Sequence, residues 1–224
     1  MLKRIRAYID AHHPGVAMLG EAYGGDPISA LKTYFGDGDE CHLMYHFPLA
    51  GKLFLALKRD DRTVLDPMLD ESSKIPDDAQ WVTILRHHDE LPLKGLPVDE
   101  EEEVFNHFDA EKKYKFNLGT SLRTATMFKS EKKDILRAFD LLFSVPGCPV
   151  IYYGDEIGME NTVIEVDELD TRRSVRGAFD WKNAERQVSD PDSLFNGLAA
   201  IIRNWKEGGA HSSAVTTPLS ASAE

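Results

Sequence analysis

The chain has 224 residues, 42% of them hydrophobic and 29% charged, a composition typical of a soluble globular protein with a sizeable core. Its net charge of −12 argues against binding a phosphate backbone, so no nucleic-acid partner is expected. No apolar run approaches the roughly 20 residues that span a bilayer, so no membrane is expected either.

The basic start MLKRIRAYIDAHH lacks the continuous apolar segment of a secretory signal. Leu2, Ile5 and Ile9 repeat at helical spacing, and the stretch from His12 to Gly15 stops that helix. Val16 to Leu19 is a short apolar run that ends at Gly20 and Glu21. Cys41 to Phe47 is a second such run, followed by Pro48 and the helical-looking LAGKLFLALKR. Cys41 and Cys148 lack metal-type spacing and read as free thiols, which makes the cytoplasm the expected compartment. A third run, Trp81 to Arg86, leads directly into His87, His88, Asp89 and Glu90. The acidic stretch Asp99 to Glu103 reads as a solvated loop or helix face, with an interaction tail or metal trap as the alternative. An amphipathic helix carrying Ile135, Leu136, Phe139, Leu142 and Phe143 precedes the fourth run, Pro149 to Tyr153. A last helix places Leu194, Phe195, Leu198, Ile202 and Trp205 on one face. These elements predict one unit over residues 1–206, followed by a disordered or non-native tail over 207–224.

Short, nearly continuous apolar strands alternating with helices indicate parallel strands buried on both faces, an α/β fold. In such a fold the carboxyl ends of all strands open on one side. Glu21, the group from His87 to Glu90, and Asp155 and Glu156 each follow an apolar strand, so they are expected on one rim. Several carboxylates with imidazoles suit acid/base work on glycosidic bonds, where one carboxyl group protonates the leaving oxygen. That role needs a raised pKa, which burial beside a second carboxylate supplies; Glu21 and Asp89 are the candidate pair. The plainer reading is a strand-end Glu21 paired with an arginine. A metal site is a competing option. However, neighbouring residues of an extended segment alternate faces, so His87, His88, Asp89 and Glu90 cannot all hold one ion. His42 and His46 would add ligands only if their strands were adjacent. No metal and no cofactor is expected, and the chain has no GxGxxG, Walker or CxxC motif.

MLGEAY (Met18 to Tyr23), ILRHHDEL (Ile84 to Leu91) and PGCPVIYYGDEIGM (Pro146 to Met159) resemble the motifs on strands five, seven and eight of the α-amylase family, glycoside hydrolase family 13. GDECHLMYHFPL (Gly38 to Leu49) and VRGAFDW (Val175 to Trp181) are similar to segments of its trehalose synthase, or maltose glucosylmutase, branch. The resemblance covers Leu2 to about Arg203. It implies the C-terminal half, strands five to eight, of a (β/α)8 TIM barrel that acts on α-glucosidic bonds with retention. By motif, Glu21 falls on the general acid/base and Asp89 on the carboxylate that stabilises the oxocarbenium-like transition state. His88 falls on a histidine that hydrogen-bonds sugar hydroxyls, and Arg176 on an arginine that lines the cleft. Asp155 and Glu156 are assigned to loop structure. His87 stands where the motif commonly has asparagine, which alters local hydrogen bonding at a substrate-binding position.

The family's nucleophilic aspartate belongs to a fourth-strand segment with no counterpart here. Retention needs a second carboxyl group about 5 Å from the acid/base. The resemblance therefore implies a fragment of a glycoside hydrolase or transglucosidase for maltose, trehalose or a related glucan. Such a fragment would be inactive alone and completed by an N-terminal half-barrel. The alternatives are a non-catalytic carbohydrate-binding or regulatory half-barrel, and an inert truncation product.

Overall fold

A computed structural model describes residues 1–163 and 169–208. From residue 209 onward, the tail expected over 207–224 lies outside the described residues. The chain runs α1 (Leu2–His12), β1 (Leu19–Gly20), α2 (Ile28–Lys32), β2 (Leu43–Tyr45), α3 (Phe47–Arg59), α4 (Asp66–Ser72) and β3 (Gln80–Ile84). It continues through β4 (Leu91–Pro92), α5 (Val98–Phe108), β5 (Lys115–Phe116), β6 (Gly119–Thr120), α6 (Thr124–Met127) and α7 (Lys132–Ser144). The last elements are β7 (Cys148–Val150), α8 (Trp181–Ser189) and α9 (Leu194–Glu207).

Strands β1, β2, β3 and β7 form one parallel sheet in that order, the order in which the four apolar runs occur along the chain. Leu19 pairs with Leu43, Tyr45 with Val82, and Ile84 with Val150. The strands are shorter than the apolar runs that predict them. Phe47 illustrates why: the His46 ring accepts a hydrogen bond from the Leu49 amide, and Pro48 occupies the first turn of α3. A capped start with proline in the first turn favours helix, so Phe47 opens α3 instead of closing β2.

Ten of the thirteen residues of α3 are buried. Its Leu53, Phe54 and Leu57 share a core with Ile84 and Leu85 at the end of β3, Phe105 of α5, and Ile135, Phe139 and Leu142 of α7. Of the face expected on α9, Leu194, Leu198, Ile202 and Trp205 join this core. This helix packs on α7, with the Phe143 and Trp205 rings edge to face at 5.6 Å. A second cluster gathers Ile28, Leu31, Phe35, Met44 and Trp81. The acidic stretch is a helix face that packs against bases: Glu100 of α5 meets Lys52 and Arg59, and Glu103 meets Lys58 and Arg59, all from α3. Two bases on Glu103 hold its carboxyl down at about 2.

Between β3 and α7 the chain makes an excursion that its apolar pattern does not announce. Strands β4, β6 and β5 form a small antiparallel sheet in that order. A side chain at Gly119 would collide with the main chain of Leu91, its Cβ only 1.7 Å from the carbonyl oxygen, so this crossing requires glycine. Among the described residues, no helix is long and apolar enough to cross a membrane.

Candidate active site

Parallel pairing of β1 with β2 and β2 with β3 brings the residues after Gly20 and after Ile84 to the same side of the sheet. There Glu21 Oε1 lies 3.9 Å from His87 Nδ1 and 3.8 Å from His88 Nε2. His88 Nε2 in turn lies 3.6 Å from Asp89 Oδ2. Arg176 Nε donates to the His88 carbonyl at 2.8 Å, and its Nη2 donates to Asp89 Oδ1. The five residues singled out from the sequence thus converge on one rim.

Their environments differ. The expectation that sequence neighbours point to opposite faces fails for His87 and His88, because the strand ends at Ile84 and the chain bends at His88 and Asp89. Their rings meet edge to face at 5.1 Å. His87 is buried among Tyr45 and Phe47, and its Nε2 faces the Glu90 carbonyl at 3.3 Å. Burial, reinforced by the Arg86 and His88 charges, pushes its pKa down to about 4. Glu21, expected in a buried setting, has a side chain 46% exposed, because β1 is an edge strand of the sheet.

Several residues that shape the rim escape sequence reasoning. Arg172 places Nη1 3.3 Å from Asp89 Oδ1, sits over the Phe116 ring at 4.5 Å, and is held by both carboxylate oxygens of Asp170. The Asp170 hydrogen bonds raise the Arg172 pKa above its ordinary value. Asp89 therefore turns Oδ1 to two guanidinium groups and Oδ2 toward His88. Arg86, fully buried, donates to the carbonyls of His87, Asp89 and Leu122 and so fixes the segment that carries the histidines. Its burial lowers its pKa to about 10. Glu90, expected on the rim with the histidines, accepts from Asn117 Nδ2 at 3.0 Å and anchors the β5–β6 turn as one wall of the cleft. The one advance signal for Arg86 was an arginine ending an otherwise apolar run.

His42 and His46 do not join the rim, although β2 and β3 are neighbours. His42 accepts from the Met18 amide and lies 3.5 Å from Asp10. His46 is buried against Trp81 and Ser72, and burial drives its pKa down to about 3. Asp155 is buried and bonded to Arg123 and Thr124. Burial raises its pKa to about 6 against the pull of Arg86 and Arg123.

Glu21, Tyr23, Phe47, His87, Asp89 and Arg172 line a cavity of about 270 Å³ between the strand ends and the β5–β6 turn. A larger hollow of about 590 Å³ lies along α7 and α9, away from this convergence. The lining combines an apolar wall with the Glu21 and Asp89 carboxylates and the Arg172 guanidinium.

Fold and rim together define the C-terminal half of a (β/α)8 barrel whose polar groups gather at the strand ends. Residues 1–192 match the catalytic domain of α-amylase, and the chain belongs to that family. It is 37% identical over 203 residues to the trehalose synthase/amylase of Mycolicibacterium smegmatis, covering 87% of this chain and 33% of the relative. It is 36% identical over 181 residues to the trehalose synthase of Thermus thermophilus, covering 80% of this chain and 18% of that one. The chain thus spans a third or less of the length of these relatives. Among solved structures, sucrose 6F-phosphate phosphorylase from Thermoanaerobacter thermosaccharolyticum superposes with a TM-score of 0.72 at 18% identity. That match covers 92% of this chain and 43% of the other. The cyclic α-maltosyl-(1→6)-maltose hydrolase of Arthrobacter globiformis gives 0.59 at 19% identity, covering 95% and 37%. Both likenesses bear on the fold alone.

Proposed function

We propose that this chain supplies the acid/base half of a retaining α-glucosidase or α-glucosyltransferase site for maltose, trehalose or a related glucan. The observation that carries this reading is the approach of Glu21 and Asp89 to the same imidazole nitrogen of His88, at 3.8 and 3.6 Å.

Glu21, reachable from solvent at the end of β1, protonates the glycosidic oxygen as the bond breaks and then takes a proton from the incoming water or sugar hydroxyl. Asp89 Oδ2 faces the positive charge that develops on the sugar ring, while Arg172 and Arg176 fix the opposite oxygen and thereby the plane of the carboxylate. His88 hydrogen-bonds sugar hydroxyls, and Phe47 and Tyr23 give the apolar face of the ring a surface to lie on. The nucleophilic carboxylate comes from an N-terminal half-barrel, so the chain by itself binds sugar without turning it over.

The test compares the purified chain with and without a supplied N-terminal half, using maltose binding and nitrophenol release from a nitrophenyl α-glucoside. Binding by the chain alone, turnover only in the reconstituted pair, and loss of that turnover in Glu21→Gln are expected. Turnover by the chain alone would make Asp89 the nucleophile and overturn the assignment. Absence of any saccharide binding, with or without the other half, would overturn the site.

A further inference from the structure

We propose that His87 Nδ1, His88 Nε2 and one carboxylate oxygen of Glu21 form a binding site for a divalent transition-metal ion, with zinc the best match to the ligand set. The three donor atoms lie within 4.8 Å of one another. His87 Nε2 faces the Glu90 carbonyl at 3.3 Å. A carbonyl only accepts, so Nε2 carries the hydrogen and the neutral ring leaves a bare lone pair at Nδ1.

That Nδ1 is buried without a hydrogen-bond partner and faces Glu21 Oε1 at 3.9 Å. His87 itself is only 7% exposed. Two acceptors facing each other across such a gap are satisfied by a hydrogen-bond donor or a cation between them. His88 Nε2 closes the third side, 3.8 Å from the same Glu21 oxygen.

Zinc–ligand bonds of about 2.0–2.2 Å place neighbouring ligands of a tetrahedron roughly 3.4 Å apart. The two separations from Glu21, 3.9 and 3.8 Å, therefore close with shifts of about half an ångström, and the histidine pair, within 4.8 Å, with a movement of at most about 1.4 Å. The two side chains that have to move, Glu21 and His88, are both about half exposed. The third, His87, is held rigid. Its Nε2 hydrogen bond to a main-chain carbonyl is the outer contact that orients metal-bound imidazoles elsewhere, and Arg86 holds the carbonyls of His87 and Asp89. Two imidazoles and one carboxylate select zinc, copper, nickel or cobalt over calcium or magnesium, which prefer oxygen alone. Three protein ligands leave the fourth position for water. Glu21 and His88 are also the groups given the proton transfer and the sugar hydroxyls above, so zinc and sugar exclude each other at this rim, and zinc uptake is measured without saccharide.

The test is calorimetric titration of untagged, full-length protein with Zn²⁺, together with the visible absorption of added Co²⁺. One ion per chain is expected, with a d–d band of tetrahedral intensity for cobalt. His87→Asn, His88→Asn and Glu21→Gln should each weaken zinc at least about 10-fold and abolish the band. His12→Asn and His13→Asn, at the exposed end of α1, should leave both unchanged. His88 and Glu21 are exposed enough for their variants to fold, and far-UV circular dichroism checks this for all. No uptake of zinc at submillimolar concentration would overturn the proposal, as would wild-type affinity in the three ligand variants. Maltose binding that depends on His87 in a protein that takes up no zinc would show instead that Nδ1 accepts a sugar hydroxyl.

Discussion

Arg86 sits at the point where a buried strand turns into a polar rim, and its guanidinium serves the main chain instead of a carboxylate. It supplies the carbonyls of His87, Asp89 and Leu122 with donors in a place that water does not reach. Replacing it with methionine keeps the packing volume and removes those donors. Each carbonyl left unsatisfied costs about 1–3 kcal/mol, so Arg86→Met is expected to lose about 3 kcal/mol or more in chemical denaturation. A variant as stable as the parent would show that the segment carrying His87 and His88 is held by something else. His46 gives a second prediction through pH. Its pKa falls from 6.5 to about 3 on burial, so below pH 6.5 the unfolded chain takes up a proton that the folded one refuses. The stability contributed by the neutral ring is therefore present above pH 6.5 and is lost as pH falls toward 3, about 3 kcal/mol by pH 4. His46→Asn keeps a residue able to cap α3 while removing the titration, and should flatten the stability profile between pH 6.5 and 4. An unchanged slope would place the acid sensitivity elsewhere, with His87 the next candidate.

The elements divide into those that sequence pattern discloses and those it cannot. Strands β1, β2, β3 and β7 were legible because burial on both faces leaves a continuous apolar run, and α3, α7 and α9 because one buried face repeats at helical spacing. The small sheet was not, since two-residue strands have no period to read and are defined by their partners. Arg172 was missed for a related reason: it belongs to the short 3-10 turn Thr171–Val175 and reaches Asp89 across 83 positions of chain. Glu21 and Asp89 were found by motif, whereas the exposure of Glu21 depends on which strand lies at the sheet edge, a tertiary fact. The small sheet also yields a prediction. Gly119 of β6 lies against the main chain of Leu91 in β4, and Asn117 and Leu118 in the adjoining turn hold Glu90. Gly119→Ala forces β4 and β6 apart and should cost at least 1–3 kcal/mol, in the range of overpacking a filled interior. Hydrogen exchange should quicken at the Leu93 and Lys94 amides, both of which donate to the Leu118 carbonyl, and remain slow in β2 and β3. Uniform acceleration across the parallel sheet would mean that the excursion and the sheet unfold as one unit.

At the scale of the molecule, the four-stranded sheet has two free edges among the described residues, β1 and β7, where a closed barrel would have none. Apolar side chains collect beside the first of them: Val16 and Leu19 are exposed on the β1 segment, and α1 has no buried residue although Ile5 and Tyr8 belong to its surface. Tyr153 is exposed just beyond β7. Each large apolar side chain left in water forgoes about 1.5–3 kcal/mol of burial, and an open strand edge offers unpaired main-chain groups to any extended chain it meets. The net charge of −12 opposes association through long-range repulsion, yet repulsion screened by salt cannot substitute for a missing wall. The chain alone should therefore self-associate increasingly as salt is raised and should bind the dye ANS. Co-expression with an N-terminal half-barrel should yield a discrete complex in which dye binding falls and the unfolding transition sharpens. Size-exclusion chromatography across a salt series, with ANS fluorescence on the same fractions, measures both. A chain that stays monomeric at high salt, ignores ANS and unfolds cooperatively by itself would be a self-sufficient half-barrel. Its rim would then be better read as a carbohydrate-binding surface than as half of a catalytic one.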